Sequence, residues 1–136
     1  MHIIRPIGAA ATTSIILAVI LTSCKGSTPP EQDPVIFPSK NISFANQVQP
    51  YFDDGCALSG CHDINARAGG LALDSWQDVL TSDPGVVISD DTTHSRLIWR
   101  IEGAKGLPRM PLGLPGATAN QVHGLKQWIL KGAQNN

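Results

Sequence analysis

Apolar side chains recur at helical intervals in four separate stretches of this chain, with polar and glycine- or proline-rich segments between them. The first begins at Ser43, a residue suited to cap a helix, and carries Phe44, Val48 and Phe52 four apart, which predicts one buried face. Pro50 should kink this helix or begin a second short one, and Asp53-Asp54-Gly55 should end it. After a polar run closing in Gly69-Gly70, where the backbone must turn, Asp74 or Ser75 can cap a short helix containing Trp76, Val79 and Leu80. The turn Ser82-Asp83-Pro84-Gly85 stops it. Val86-Val87-Ile88 is apolar and extended but too short and isolated to imply a sheet. Asp90 to Thr93 supplies caps for a third helix from about His94 to Glu102, with Leu97, Ile98 and Ile101 on one face and Gly103 closing it. The last pattern is the clearest. Thr118 and Gln121 form a capping box, Val122, Leu125 and Ile129 share a face flanked by Trp128 and Leu130, and Gly132 ends the helix.

The expected fold is therefore all-α, a small domain of three to five short helices joined by long ordered loops, without internal repeats. One loop stands apart. Residues 106–116 hold three prolines and three glycines, which forbid regular structure, yet Leu107, Met110, Leu112 and Leu114 require burial against something apolar.

The N-terminal pattern is of another kind. Arg5 precedes an apolar run from Ile7 to Leu21 and then Thr22-Ser23-Cys24, the layout of a charged region, a hydrophobic region and a cleavage site. The run falls short of the roughly 20 residues a transmembrane helix needs, so a signal peptide is favoured over a membrane span. Leu21-Thr22-Ser23-Cys24 resembles the bacterial lipobox, which makes Cys24 the lipidated first residue of the mature chain. The expected organisation is a signal peptide over 1–23, a lipidated cysteine and proline-rich tether over 24–41, and a folded domain over 42–136. Such a protein sits in the bacterial cell envelope, periplasmic or at the cell surface, held to a membrane by its lipid anchor. Lys25, standing where inner-membrane retention in enteric bacteria uses aspartate, tilts the choice towards the outer membrane.

Composition changes this picture in two ways. A net charge of -1 gives no reason to expect nucleic acid as a partner, and scarce aromatics in a glycine- and proline-rich chain leave few large side chains for a core. A bound apolar cofactor would make up that shortfall. The three cysteines form an odd set for an exported protein, and lipidation of Cys24 leaves Cys56 and Cys61 as a pair.

That pair lies in Cys56-Ala57-Leu58-Ser59-Gly60-Cys61-His62. Histidine directly after the second cysteine is the arrangement that fixes one thioether sulfur and an axial imidazole together on a haem. Four residues rather than two separate the cysteines, a departure that a bulge over Ala57 to Ser59 between Gly55 and Gly60 could absorb. A second axial ligand could be Met110, held between Pro108 and Pro111, or else His94 or His123; of these Met110 is the best placed in sequence. An indole N–H of Trp76, Trp99 or Trp128, or the guanidinium of Arg100 or Arg109, could meet a haem propionate.

Val48-Gln49-Pro50-Tyr51-Phe52 before Cys56, Cys61-His62, Gly70 to Asp74, Ser95-Arg96-Leu97-Ile98, Arg109-Met110-Pro111 and Trp128 to Ala133 together resemble the planctomycete-type cytochrome c domain, within the mono-haem cytochrome c family, across residues 42 to 134. The resemblance implies an all-α fold with terminal helices crossing near one covalent haem c, attached through Cys56 and Cys61, with His62 proximal and Met110 distal. With both axial positions filled, the function it implies is one-electron transfer with redox partner proteins and not enzymatic catalysis. The residues alone leave other possibilities open. A peroxidase-like or gas-reactive haem enzyme would need an open distal position. Cys56, Cys61, His62 and a second histidine could form a zinc site, although adjacent ligands are awkward for a tetrahedron. A Cys56–Cys61 disulfide is the bland alternative in an oxidising compartment.

Overall fold

The computed structural model describes residues 33–136. The signal peptide, Cys24 and the first part of the expected tether lie outside the described residues. Among the described residues there are four α-helices and no strand, as the hydrophobic pattern predicts.

The chain enters helical structure where Ser43 caps it, its Oγ accepting the N–H of Asn46 at 3.2 Å. The first turn, Phe44–Val48, is wound as a π-helix and passes directly into α1, Gln49–Gly55. Pro50 lies in the first turn of α1, where its missing N–H costs no helical bond, so the second of the two expected outcomes holds. A single 3-10 turn, Ala68–Gly70, follows the cysteine–histidine loop, with both Gly69 and Gly70 at positive φ. Helix α2, Trp76–Thr81, is capped by Ser75 through Asp78 N–H at 3.2 Å.

Helix α3 is shorter than expected, Arg96–Glu102, because the preceding residues are spent on a turn. Asp91 accepts the N–H groups of Thr93 and His94 at 2.8 and 3.0 Å instead of capping the helix. Ser95 is fully buried, and its hydroxyl donates to Asp91 O at 2.6 Å while accepting from Ile88 N–H at 2.9 Å. That hydroxyl satisfies Ile88, at the end of the apolar run, without a sheet. Gly103 closes α3 at φ 68°. Helix α4, Ala119–Leu130, has the reciprocal Thr118–Gln121 capping box. Leu125, Trp128 and Ile129 are buried while Leu130, at the edge of the stripe, is exposed.

The core gathers Phe44, Val48 and Phe52 from the first helical pair, Leu73 and Val79, Leu97, Ile98 and Ile101 of α3, and Leu125, Trp128 and Ile129 of α4. The two ends of the domain are joined. The Phe44 and Trp128 rings stand 5.7 Å apart, and Asn136 accepts from Ala45 N–H and Ser43 Oγ at 3.0 and 2.7 Å.

One segment differs from the pattern. Residues 33–41 read as the end of a tether, yet Phe37 is 2% exposed and packs edge-on to Tyr51 at 6.1 Å. Its N–H donates to Asn120 Oδ1 and its carbonyl accepts from Asn120 Nδ2, while Val35 O accepts from Gln121. The folded body thus includes Val35 to Phe37. The ring occupies the space above Gly124, where a Cβ would sit 2.2 Å from Phe37 carbons.

Candidate functional site

Helix α1 ends at Gly55 and delivers Cys56 at its C-terminus, with Cys56 N–H bonded to Phe52 O at 2.8 Å. The chain then loops back on itself. Cys61 N–H bonds Leu58 O at 2.9 Å, His62 N–H bonds Cys56 O at 3.1 Å, and Leu73 N–H closes on His62 O at 2.8 Å. The bulge suggested by the wide cysteine spacing is thus a closed turn, aided by Gly60 at φ 83°. Asp63, which the sequence offered no reason to single out, braces it. Its carboxylate accepts the N–H groups of Gly60, Asn65 and Ala66 at 3.2, 3.3 and 3.3 Å. Desolvation works against the carboxylate, but these hydrogen bonds hold it below the usual aspartate range. An aspartate two and three residues before the amides it caps is the local signal that would have found it.

Both cysteines are free thiols in different settings. Cys56 belongs to the core, where burial, with Cys61 nearby, pushes its thiol up to about 12. Cys61 is exposed. Tyr51 is raised above the usual tyrosine range, first by burial and then by Cys56, with Arg109 opposing. The His62 ring is half-buried, and its Nδ1 is enclosed without a hydrogen-bond partner.

The Met110 loop reaches this region. Pro111 Cγ lies 3.8 Å from where a Cβ on Gly55 would stand, one residue before Cys56. Arg109 fixes the loop, its Nε donating to Ile101 O at 3.0 Å and its Nη2 to Ala117 O at 3.1 Å, while Met110 N–H donates to Arg100 O at 2.8 Å. The guanidinium leaves no room for a side chain at Gly116. Met110 is half-buried. The expected burial of the loop leucines is not met by the polypeptide itself, since Leu112 and Leu114 are 64% and 46% exposed, and Ile64 beside His62 is 47% exposed.

The remaining candidates lie apart. His94 is exposed and bonded through Nδ1 to Asp91 at 2.7 Å. His123 is exposed and lines an open groove of about 540 Å³ with Glu102, Arg109 and Lys126, which contains none of Cys56, Cys61, His62 or Met110. Among the described residues no three His, Cys, Asp or Glu side chains converge as a zinc site requires. The indole N–H groups of Trp76, Trp99 and Trp128 donate to Ala133 O, Thr93 O and Gln134 O, so all three are committed to backbone and not directed at a ligand. Arg109 is committed likewise.

A haem c can be tested against this donor set. Cys61 is accessible, His62 is half-buried with its Nδ1 unpaired, and Ile64, Leu112 and Leu114 present apolar surface of the kind a porphyrin covers. Cys56 is adjacent but buried. The residues fit the group.

Fold and site together define a small all-helical domain built on a Cys–Cys–His loop with a methionine loop packed beside it. Residues 59–111 match the family model described as Planctomycete cytochrome C, the family that the sequence resembles. The match takes in Cys61, His62 and Met110 and begins after Cys56. The match supports a cytochrome c reading of the Cys61-His62 loop. No curated protein and no solved structure matches the chain.

Proposed function

We propose that this protein is a one-electron carrier with a single covalent haem c, held to an envelope membrane by a lipid on Cys24. The observation that carries the proposal is the setting of His62. It follows Cys61 directly, has an enclosed and unpaired Nδ1, and sits in a loop that the Met110 segment approaches through Pro111 and Gly55. Cys56 and Cys61 would hold the haem through thioethers, with His62 and Met110 as axial ligands. Such a haem supplies reversible one-electron transfer.

The chain's own residues do the rest. Asp63 and the Leu73–His62 bond fix the backbone on either side of the ligand. Arg109 pins the methionine loop to the ends of α3 and α4, so Met110 has little freedom to lose on ligation. Ile64, Leu112 and Leu114 exclude water from the site and offer apolar surface to a redox partner protein. Asp53, Asp54 and Asp90 are exposed and add negative charge that can orient a basic partner.

The test is production of the full chain with a cytochrome c maturation system, followed by a haem stain on a denaturing gel and a reduced-minus-oxidised visible spectrum. A covalent haem band with a c-type spectrum is expected, and its absence sinks the proposal. Met110→Ala should abolish the long-wavelength iron–thioether absorption; its persistence removes Met110 from the ligand set.

A further inference from the structure

Among the described residues, two buried side-chain polar atoms have no hydrogen-bond partner: Oε1 of Gln49 and Nδ1 of His62. They are chemically complementary. An amide oxygen only accepts, and Nδ1 carries the proton in the tautomer that leaves the Nε2 lone pair free. Enclosed polar atoms are normally paired, so two orphans of opposite character call for an explanation.

The orientation of Gln49 is fixed by its other bonds. Its Nε2 donates to Leu73 O at 3.1 Å and to Asp53 Oδ1 at 2.6 Å, both acceptors that would repel Oε1 if the amide were turned over. The amide oxygen is therefore held inwards. Leu73 is also the residue whose N–H bonds His62 O, so one residue ties the Gln49 side chain to the histidine backbone. Oε1 and Nδ1 are not bonded to each other in the polypeptide, and χ2 of histidine is a broad torsion that leaves the ring free to turn.

We propose that Gln49 is the positioning residue for His62: its Oε1 accepts a hydrogen bond from Nδ1–H and so holds the imidazole in the tautomer that offers Nε2 to iron. The inference rests on the haem proposal and deepens it. Metal-bound histidines characteristically donate their second N–H to an oxygen, which fixes ring orientation and raises ligand basicity. Here that oxygen belongs to a side chain on α1, one helical turn before Asp53. A more basic imidazole favours the oxidised iron, so Gln49 lowers the potential.

The experiment uses the haem-loaded full chain and reads two quantities, the exchange rate of the His62 Nδ1–H in the reduced protein by nitrogen-resolved NMR and the midpoint potential. Gln49→Leu removes both the acceptor and the amide donors; Gln49→Glu removes the donors but keeps an acceptor. The Leu variant should exchange about tenfold faster, the factor a single neutral hydrogen bond supplies, and have a higher potential. The Glu variant should keep slow exchange and have a lower potential. Gln49→Met, of similar length and without an acceptor, must follow the Leu variant and replaces it if that variant does not fold. A role confined to the Leu73 and Asp53 contacts makes the Leu and Glu variants alike in exchange, and that result overturns the inference while leaving the haem proposal standing. A wild-type protein without covalent haem overturns both.

Discussion

Cys56 and Cys61 share a motif and differ in burial. The thiolate is the reactive form, so burial that pushes Cys56 up to about 12 also protects it, while Cys61 stands in solvent. In the haem-free chain, a limiting alkylating agent at pH 8 should modify Cys61 first and Cys56 at least about tenfold more slowly; equal rates on peptide mapping would show that Cys56 is not enclosed. The same asymmetry has a pH consequence. The folded chain holds the Cys56 proton more tightly than an unfolded chain, in which the thiol titrates near 9.0. The resulting stability is complete below about pH 9 and is lost as pH rises towards 12. Replacing Cys56 with Ala should flatten the alkaline limb of a stability–pH curve measured on the haem-free protein. Neither contrast is legible in the sequence, because burial of one cysteine and exposure of the other is decided by how the loop closes, not by spacing.

Helices and loops here are held by single side chains at their ends. Arg109 makes two charge-assisted bonds, one to the last turn of α3 and one just before α4. Arg109→Gln should cost about 1.5–3 kcal/mol in chemical unfolding, and in the haem-loaded protein it should weaken the Met110 absorption first, since the loop loses its fastening. Gly124 presents the opposite case. Alanine is the better helix former by about 1 kcal/mol, but its Cβ would lie 2.2 to 2.5 Å from Phe37 carbons, including the Cβ, which cannot swing aside. Gly124→Ala should therefore destabilise by about 1–3 kcal/mol despite its propensity gain, with increased amide exchange at Phe37. The helical periodicity, the caps at Ser43, Ser75 and Thr118, and the stop at Gly103 were all readable locally. The shortening of α3 was not, because Asp91 caps a turn at Thr93 and His94 instead of the helix, and the buried Ser95 hydroxyl bridges residues 88 and 91.

For the molecule as a whole, the domain boundary carries the sharpest test. A domain beginning at residue 42 would lack Phe37, whose ring covers Gly124 and meets Tyr51. Relative to a chain beginning at residue 33, one beginning at residue 42 should be about 3–5 kcal/mol less stable, the range for losing a buried phenylalanine. Equal stability of the two truncations would show that Val35 to Phe37 is not part of the folded body. The segment escaped the pattern because its neighbours, Ile36 and Pro38, give no periodicity, and its hydrogen bonds go to Asn120 and Gln121 on the far end of the chain.

The sequence by itself determined the all-helical class, the positions of the helices and the chemistry available at Cys61 and His62. These depend on residues within one or two turns of each other, where capping, periodicity and adjacency act directly. Tertiary structure alone decided that Cys56 is enclosed, that Arg109 and the three tryptophans serve the backbone, that the 106–116 loop shows Leu112 and Leu114 to the outside, and that Gln49 and His62 are left with matching unpaired atoms. Each of these depends on which distant segment occupies the neighbouring space. Hydrogen-bond partners across the fold cannot be read from residue order, because a polar side chain specifies what it can bond and not what it will meet.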